Sequence, residues 1–154
     1  MPRLSKKTMF AIEAVLDVAF HVGEHPVRSG DITERQRIPK RYLEQVLQHL
    51  VRAGILAGKR GPRGGYRLGR ERSSITLGEV VRVVRKLEAE TEPNDPSVGS
   101  PLAHEVVWPA WEKLREEMMT QLDTITIEEL CKRARAKGLD RPAAKTAHTT
   151  SAAA

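Results

Sequence analysis

The chain has 154 residues, enough to bury a real core but short for more than one domain with a small appendage. Apolar residues make up 40%, aromatics 4% and charged residues 30%, and no run of about 18 apolar residues occurs, which excludes a membrane-spanning helix. A single cysteine, Cys131, excludes an internal disulfide framework and any metal site built on several thiolates of one chain, while the net charge of +6 points to a polyanionic partner.

The basic start Met1-Pro2-Arg3-Leu4-Ser5-Lys6-Lys7 is not followed by the apolar block of a signal peptide, because Glu13 and Asp17 interrupt it. A cytoplasmic location is expected. The charge is divided along the chain: residues 1–87 carry a net +10 and residues 88–154 a net −4. Such a division suggests a first half that meets a polyanion and a second half that assembles or regulates.

Met9, Ile12, Leu16, Ala19 and Phe20 recur at helical spacing, which predicts a helix over 6–22 with Ser5 as its N-cap. Gly23-Glu24-His25-Pro26 ends it. A short second helix is expected over 29–36, with Ser29 as N-cap and Ile32 inward. Ile38-Pro39 breaks that helix, and Pro39 suits the first position of a third. The third helix turns Tyr42, Leu43, Val46, Leu47, Leu50 and Val51 toward a core and stops at Ala53-Gly54. Segments 55–59 and 66–68 read as two strands joined by the glycine- and proline-rich loop Arg60-Gly61-Pro62-Arg63-Gly64-Gly65. Thr76-Leu77-Gly78-Glu79 is a capping box, and Val80, Val81, Val84 and Leu87 form the inner face of a fourth helix. Residues 88–101 lose all periodicity and read as a loop. A long helix over 102–123 follows, with Pro109 either kinking it or marking its true start. Val107, Trp111, Leu114, Met118 and Leu122 make a seam on it for another helix. Thr126-Ile127-Glu128-Glu129 is a second capping box, opening a last helix to about 137. The tail 138–154 has no pattern and is expected to be disordered.

The expected fold class is therefore mainly α: a winged helix-turn-helix with a small β-hairpin wing, plus a long C-terminal dimerisation helix. The division is 1–87 for the DNA-binding domain, 88–101 for a loop (sensor-type by the family resemblance given below), 102–137 for the dimerisation helices, and 138–154 for the tail. An α-helix fits the major groove of B-DNA, and the N-terminal end of the second helix of such a pair meets base edges. Lys40, Arg41, Glu44, Gln45 and Gln48 share the outward arc of the third helix. Arginine pairs with guanine, glutamine with adenine, and glutamate accepts from cytosine. Tyr42 reads equally as a packed tyrosine or a phosphate contact. Lys59, Arg60, Arg63 and Arg67 populate the wing, whose narrow glycine-rich tip can carry an arginine into a minor groove. A nucleotide cradle at Gly61-Pro62-Arg63-Gly64-Gly65 is disfavoured, since the loop lacks the Gly-Lys-Ser/Thr ending and opens no helix.

The run Arg41-Tyr42-Leu43-Glu44-Gln45, followed by Gly61-Pro62-Arg63-Gly64-Gly65-Tyr66-Arg67-Leu68, Ile75-Thr76-Leu77, Trp111 and Thr126-Ile127-Glu128-Glu129-Leu130, resembles the "Rrf-two" family of bacterial transcription regulators, which includes IscR-, NsrR- and CymR-like members. The likeness covers roughly residues 2–137. It implies a homodimer held by the long helix, with two DNA-binding units on a partly palindromic operator. It also implies that Arg41, Glu44 and Gln45 read bases and that Arg60 enters the minor groove.

The sequence departs from that pattern. Cluster-bearing members of the family carry three cysteines between the fourth helix and the long one, and residues 88–107 here contain none. A typical iron–sulfur cluster is not expected, and no cofactor is assigned. Glu88, Glu90, Glu92, Asp95, His104 and Glu105 offer oxygen and nitrogen donors, but their spacing is not diagnostic of a metal, and an acidic solvated loop is the better reading. Cys131 shares a helix face with Ile127, Leu130 and Ala134, which favours a buried inert thiol over a redox switch. Pro39 stands where serine is common, and Arg63 where glycine is common, with strain expected if that position needs a positive φ. Scattered histidines and the lack of a nucleophile set argue against an enzyme. The expected function is a sequence-specific DNA-binding regulator, read first as a repressor, that acts as a homodimer on double-stranded DNA without membrane contact. A protein or small-molecule effector is a further expected partner. The alternatives are an interaction module controlled by a partner enzyme such as cysteine synthase, and a single-thiol redox-responsive regulator.

Overall fold

The structure, a computed structural model, describes residues 4–21, 23, 25–91, 95 and 97–140. The expectations for Glu92 and for the tail beyond residue 140 fall outside the described residues. In chain order the elements are α1 (Lys6–Phe20), α2 (Ser29–Gln36), α3 (Lys40–Arg52), β1 (Leu56–Lys59), β2 (Gly65–Leu68), α4 (Leu77–Thr91), α5 (Trp108–Leu122) and α6 (Ile127–Ala136). A single 3-10 turn, Arg72–Ser74, precedes α4, and a π-helical turn, Ala103–Val107, runs into α5. This is the mainly helical architecture with a two-stranded wing that the hydrophobic periodicity predicts.

Helix α1 begins as expected, with the Ser5 hydroxyl accepting from the Thr8 N–H at 3.1 Å. Its inner stripe differs from the predicted one. Ala11, Ala14, Val15, Val18 and Ala19 are buried, whereas Ile12, Leu16 and Phe20 are half-buried and Met9 is exposed. Small side chains on that stripe let neighbouring helices approach closely, so the bulkier residues lie to either side of the contact rather than in it. Asp17 sits on the same stripe at 0% exposure. It accepts from Arg35 Nε and Nη2 at 2.9 and 2.8 Å and from Gln36 Nε2 at 2.8 Å, which ties α2 to α1 through one buried carboxylate.

Helix α2 starts after Arg28 rather than after Ser29, and it ends at Arg37, whose φ of 54° is left-handed. Pro39 is the N-cap of α3 and not its first helical residue. Its extended conformation suits a residue outside the helix, and no side-chain cap replaces the lost hydroxyl. Helix α3 ends in a Schellman motif: Ile55 N–H donates to the Leu50 carbonyl and Gly54 N–H to that of Val51, both at 3.0 Å, with Gly54 at φ +76°. Leu43, Val46, Leu47 and Leu50 of α3 join Val80 and Val84 of α4, and Ile127 and Cys131 of α6, in a single core.

Helix α4 opens with the predicted reciprocal cap. Thr76 N–H donates to Glu79 Oε2 at 2.9 Å, and Glu79 N–H donates to Thr76 Oγ1 at 3.3 Å. The second predicted capping box is only half made. Thr126 Oγ1 accepts from Glu129 N–H at 3.1 Å, but the Glu129 carboxylate pairs with Arg133 one turn on. Helix α4 also continues to Thr91, past the predicted loop start at residue 88. Leu87 is buried, and Thr91 Oγ1 donates to the carbonyls of Leu87 and Glu88 at 3.2 and 3.0 Å, closing the last turn.

Pro109 leaves its mark as a π-turn. The Trp108 N–H reaches back five residues to the Ala103 carbonyl. An α-helical turn there would press the proline ring on the carbonyl four residues earlier, and the wider turn relieves that clash.

Candidate nucleic-acid interface

Helix α3 has two faces. Leu43, Val46, Leu47 and Leu50 are buried, which turns Lys40, Arg41, Glu44, Gln45 and Gln48 outward, all exposed. Lys40 Nζ lies 4.0 Å from Glu44 Oε1, a loose surface pair. The side chains of Arg41, Gln45 and Gln48 have no hydrogen-bonding or ionic partner among the described residues. A helix that leaves hydrogen-bonding side chains on its solvent arc unspent presents them to an external partner.

Tyr42 takes the packed alternative. Its hydroxyl donates to the Lys7 carbonyl at 2.7 Å, and its ring centroid lies 6.0 Å from that of Phe10. Burial first, and Glu88 second, push the phenol up to about 12. Tyr42 therefore fastens α3 to α1 and fixes the angle at which its neighbour Arg41 is displayed.

The wing is a β1–β2 hairpin in the register Leu56 with Leu68 through Lys59 with Gly65. Its tip is a β-turn closed by Gly64 N–H to the Gly61 carbonyl at 2.9 Å. Pro62 occupies the second position of that turn, where a fixed φ is favourable. Positive φ falls on Gly61 and Gly65 and not on Arg63, so the arginine carries no left-handed strain. Gly65 is required for a second reason: a Cβ there would lie 2.5 Å from the Val27 carbonyl oxygen. That close approach comes from a bridge between Val27 and Tyr66, with reciprocal bonds of 2.9 and 2.7 Å. Arg28 Nη2 also donates to the Pro62 carbonyl at 2.6 Å, and Arg67 Nη1 to that of Gly23 at 3.0 Å. The wing is thus tied to the segment that leads into α2.

Lys59, Arg60 and Arg63 are exposed on the wing. Between wing and α3 lies an open cleft of about 1100 Å³, lined among others by Arg28, Gln48, Arg52, Lys59, Arg60 and Tyr66. Arg28 and Arg52 are absent from the predicted set. Arg52 continues the arc of Arg41, Gln45 and Gln48 by four residues, so its position was readable. Arg28 reaches the cleft only through the Val27 bridge, which no local pattern announces.

The predicted seam residues are uncovered. Val107, Trp111, Leu114 and Met118 are 57, 52, 60 and 40% exposed, and Leu122 is half-buried. Val106 and Trp108 extend the apolar patch at 57 and 48%. Helix α5 packs on α4. Met119 is its buried residue, and Asp123 accepts from Arg82 at 2.7 and 2.6 Å.

The loop donors are dispersed. Glu90 Oε2 meets His49 Nε2 at 3.1 Å, and Asp95 accepts from the Ser97 N–H and hydroxyl at 2.8 and 2.6 Å. Among the described residues no three His, Cys, Asp or Glu side chains gather as a metal site would require. Cys131 is 2% exposed, and burial pushes its thiol up against the opposing influence of Arg72 and Arg135.

Comparison with known proteins decides the family. The sequence pattern described as "Rrf2: Iron-dependent Transcriptional regulator" matches residues 4–133. The chain belongs to the Rrf2 family. It is 38% identical over 128 residues to the HTH-type transcriptional regulator IscR of Vibrio cholerae, covering 83% of this chain and 74% of that protein. Among solved structures it is similar to T. potens IscR, with a TM-score of 0.66 and 33% identity over 88% of this chain and 90% of that one. It is also similar to CymR, described as the global cysteine regulator of B. subtilis, with a TM-score of 0.63 and 28% identity over 86% and 98% of the two chains. Rrf2 proteins are transcriptional regulators and not enzymes, and the winged helix-turn-helix described above is their fold. The family's description names iron, and the donor set here does not fit a thiolate-held cluster: the one thiol of the chain lies in the core on α6. Among the described residues no helix is long and apolar enough to cross a membrane.

Proposed function

We propose that this Rrf2 regulator is a cytoplasmic, homodimeric repressor that reads a partly palindromic operator without an iron–sulfur cluster. The observation that carries the reading is the unspent outward arc of α3 facing a basic wing across an open cleft. In this reading residues 1–87 form the DNA-binding domain, 88–101 a regulatory loop and 102–137 the dimerisation helices. Arg41, Glu44, Gln45 and Gln48 contact base edges, with Lys40 near the backbone. Lys59, Arg60 and Arg63 carry the wing to the adjacent minor groove. Arg28 and Arg52 join them as phosphate contacts. The uncovered stripe of Val107, Trp111, Leu114, Met118 and Leu122 meets its own copy across a two-fold axis, and two linked readers match two half-sites. The deep burial of Cys131 disfavours a thiol switch.

The test is a binding selection on random duplex DNA with the wild type, Arg41→Ala and Arg60→Ala. Arg41→Ala is expected to cost about 1–3 kcal/mol and to relax preference at one base pair per half-site. Arg60→Ala is expected to weaken preference for an A·T-rich flank. Unchanged preferences in both variants would remove these roles, and no duplex binding at all would favour a protein partner such as a biosynthetic enzyme.

A further inference from the structure

A second concentration of arginine lies away from the wing and α3. Arg82 and Arg85 stand one turn apart on α4, and Arg115 faces them from α5 across a cleft of about 360 Å³. Two of the three are committed. Arg82 donates both terminal nitrogens to Asp123, and Arg115 Nη2 lies 2.9 Å from Glu112 Oε2. Glu116 also lines the cleft and is exposed.

Arg85 is different. It is half-buried, yet among the described residues it has neither an ion pair nor a hydrogen bond. Burial first, and Arg115 next, push its guanidinium down from the ordinary range; Arg82 adds to this, while Glu112 and Glu88 oppose it. A guanidinium that gives up water without gaining an acceptor is costly. The five N–H donors of arginine form a planar fork suited to a carboxylate or a phosphate; Thr120 also lines the cleft, with its hydroxyl donating to the Glu116 carbonyl at 3.1 Å.

We infer that the cleft between α4 and α5 binds a small anion bearing a carboxylate or phosphate group, held by Arg85 and flanked by Arg82 and Arg115. The ligand completes the hydrogen bonding of Arg85, the one guanidinium of the three that has no acceptor among the described residues. Its place gives it leverage, because α4 packs on both α3 and α5, and α5 carries the proposed seam. That regulatory consequence rests on the DNA-binding reading above, whereas the binding itself is measured without DNA, so the two fail separately.

The experiment is calorimetric titration of the full chain with inorganic phosphate and, separately, with succinate, in chloride buffer at fixed ionic strength. Saturable binding of one anion per chain is expected. Phosphate alone would identify a phosphate-bearing ligand, and succinate alone a dicarboxylate. Arg85→Gln should weaken binding by about tenfold or more, since a charged hydrogen-bonding group is lost. Arg115→Gln provides an independent second variant with an effect in the same direction. Arg41→Ala and Arg60→Ala should leave the affinity unchanged. The inference is overturned if neither anion binds. It also fails if binding is lost in Arg60→Ala but kept in Arg85→Gln. A shift of Arg85→Gln alone to a smaller mass in light scattering would overturn it too, by giving Arg85 a partner in a second copy.

Discussion

At the scale of single residues, the most consequential side chain is one that composition and periodicity pass over. Asp17 reads in the sequence as an interruption of an apolar run, and the structure makes it the buried junction of α1 and α2. Among the described residues, removing Arg35 leaves that buried carboxylate with only the Gln36 and the more distant His21 side chains as partners. Arg35→Ala is therefore expected to cost about 3–5 kcal/mol, read from the urea midpoint. Glu79 carries a pH dependence. Burial raises its carboxyl, but the Thr76 N–H and the Arg70 guanidinium outweigh that and hold it below its ordinary 4.5. A carboxyl lowered by folding stabilises the folded state above its unfolded pKa and loses that contribution as the pH falls through the folded value. The melting-temperature gap between wild type and Glu79→Gln should thus be full at neutral pH and close below about pH 4.5.

At the scale of elements, the helices were legible where the pattern was local. The caps at Ser5 and Thr76 and the apolar face of α3 follow from residues three and four apart, and the structure carries them. What escaped depended on distant partners. The inner stripe of α1 is set by alanines that let other helices close in, a property of the neighbours and not of the helix. The bridge of Val27 to the wing at Tyr66 joins segments about forty residues apart, with α2, α3 and β1 between them and no local pattern that pairs them. The same limit applies to the interface, where Arg52 lay on a readable arc and Arg28 did not. Gly65→Ala tests the wing as an element. With φ at +153° and the Val27 oxygen in the way, an added methyl should break the bridge. The expected result is a clear loss of operator affinity with a smaller loss of thermal stability, since the helical core does not include the wing tip.

At the scale of the whole molecule, charge and apolar surface are separated. The basic cleft lies between wing and α3, and the uncovered apolar stripe lies on α5. If the cleft neutralises several phosphates, each contact adds about −0.9 to the slope of log affinity against log salt. A potassium chloride series should give a steep slope, reduced by about one in Arg52→Ala. Replacing Leu114 and Met118 by lysine should halve the mass in light scattering and weaken operator binding with it. A double variant that stayed dimeric would move the seam off α5. Protein prepared without air should show no visible absorption band, in keeping with a single buried thiol per chain.

The π-turn at Ala103–Val107 has a consequence for how this chain is compared with its relatives. It inserts one residue into the helix without lengthening the helix, and each residue of an α-helix advances the azimuth by about 100°. Side chains before the turn therefore keep a different angular phase from those after it. Leu102 cannot be projected onto the stripe of Trp111 and Leu114 by counting in fours and threes. Against a relative whose helix is α-helical throughout, an alignment that runs ungapped from the loop into α5 matches residues by number while misplacing them in space by more than a quarter of a turn.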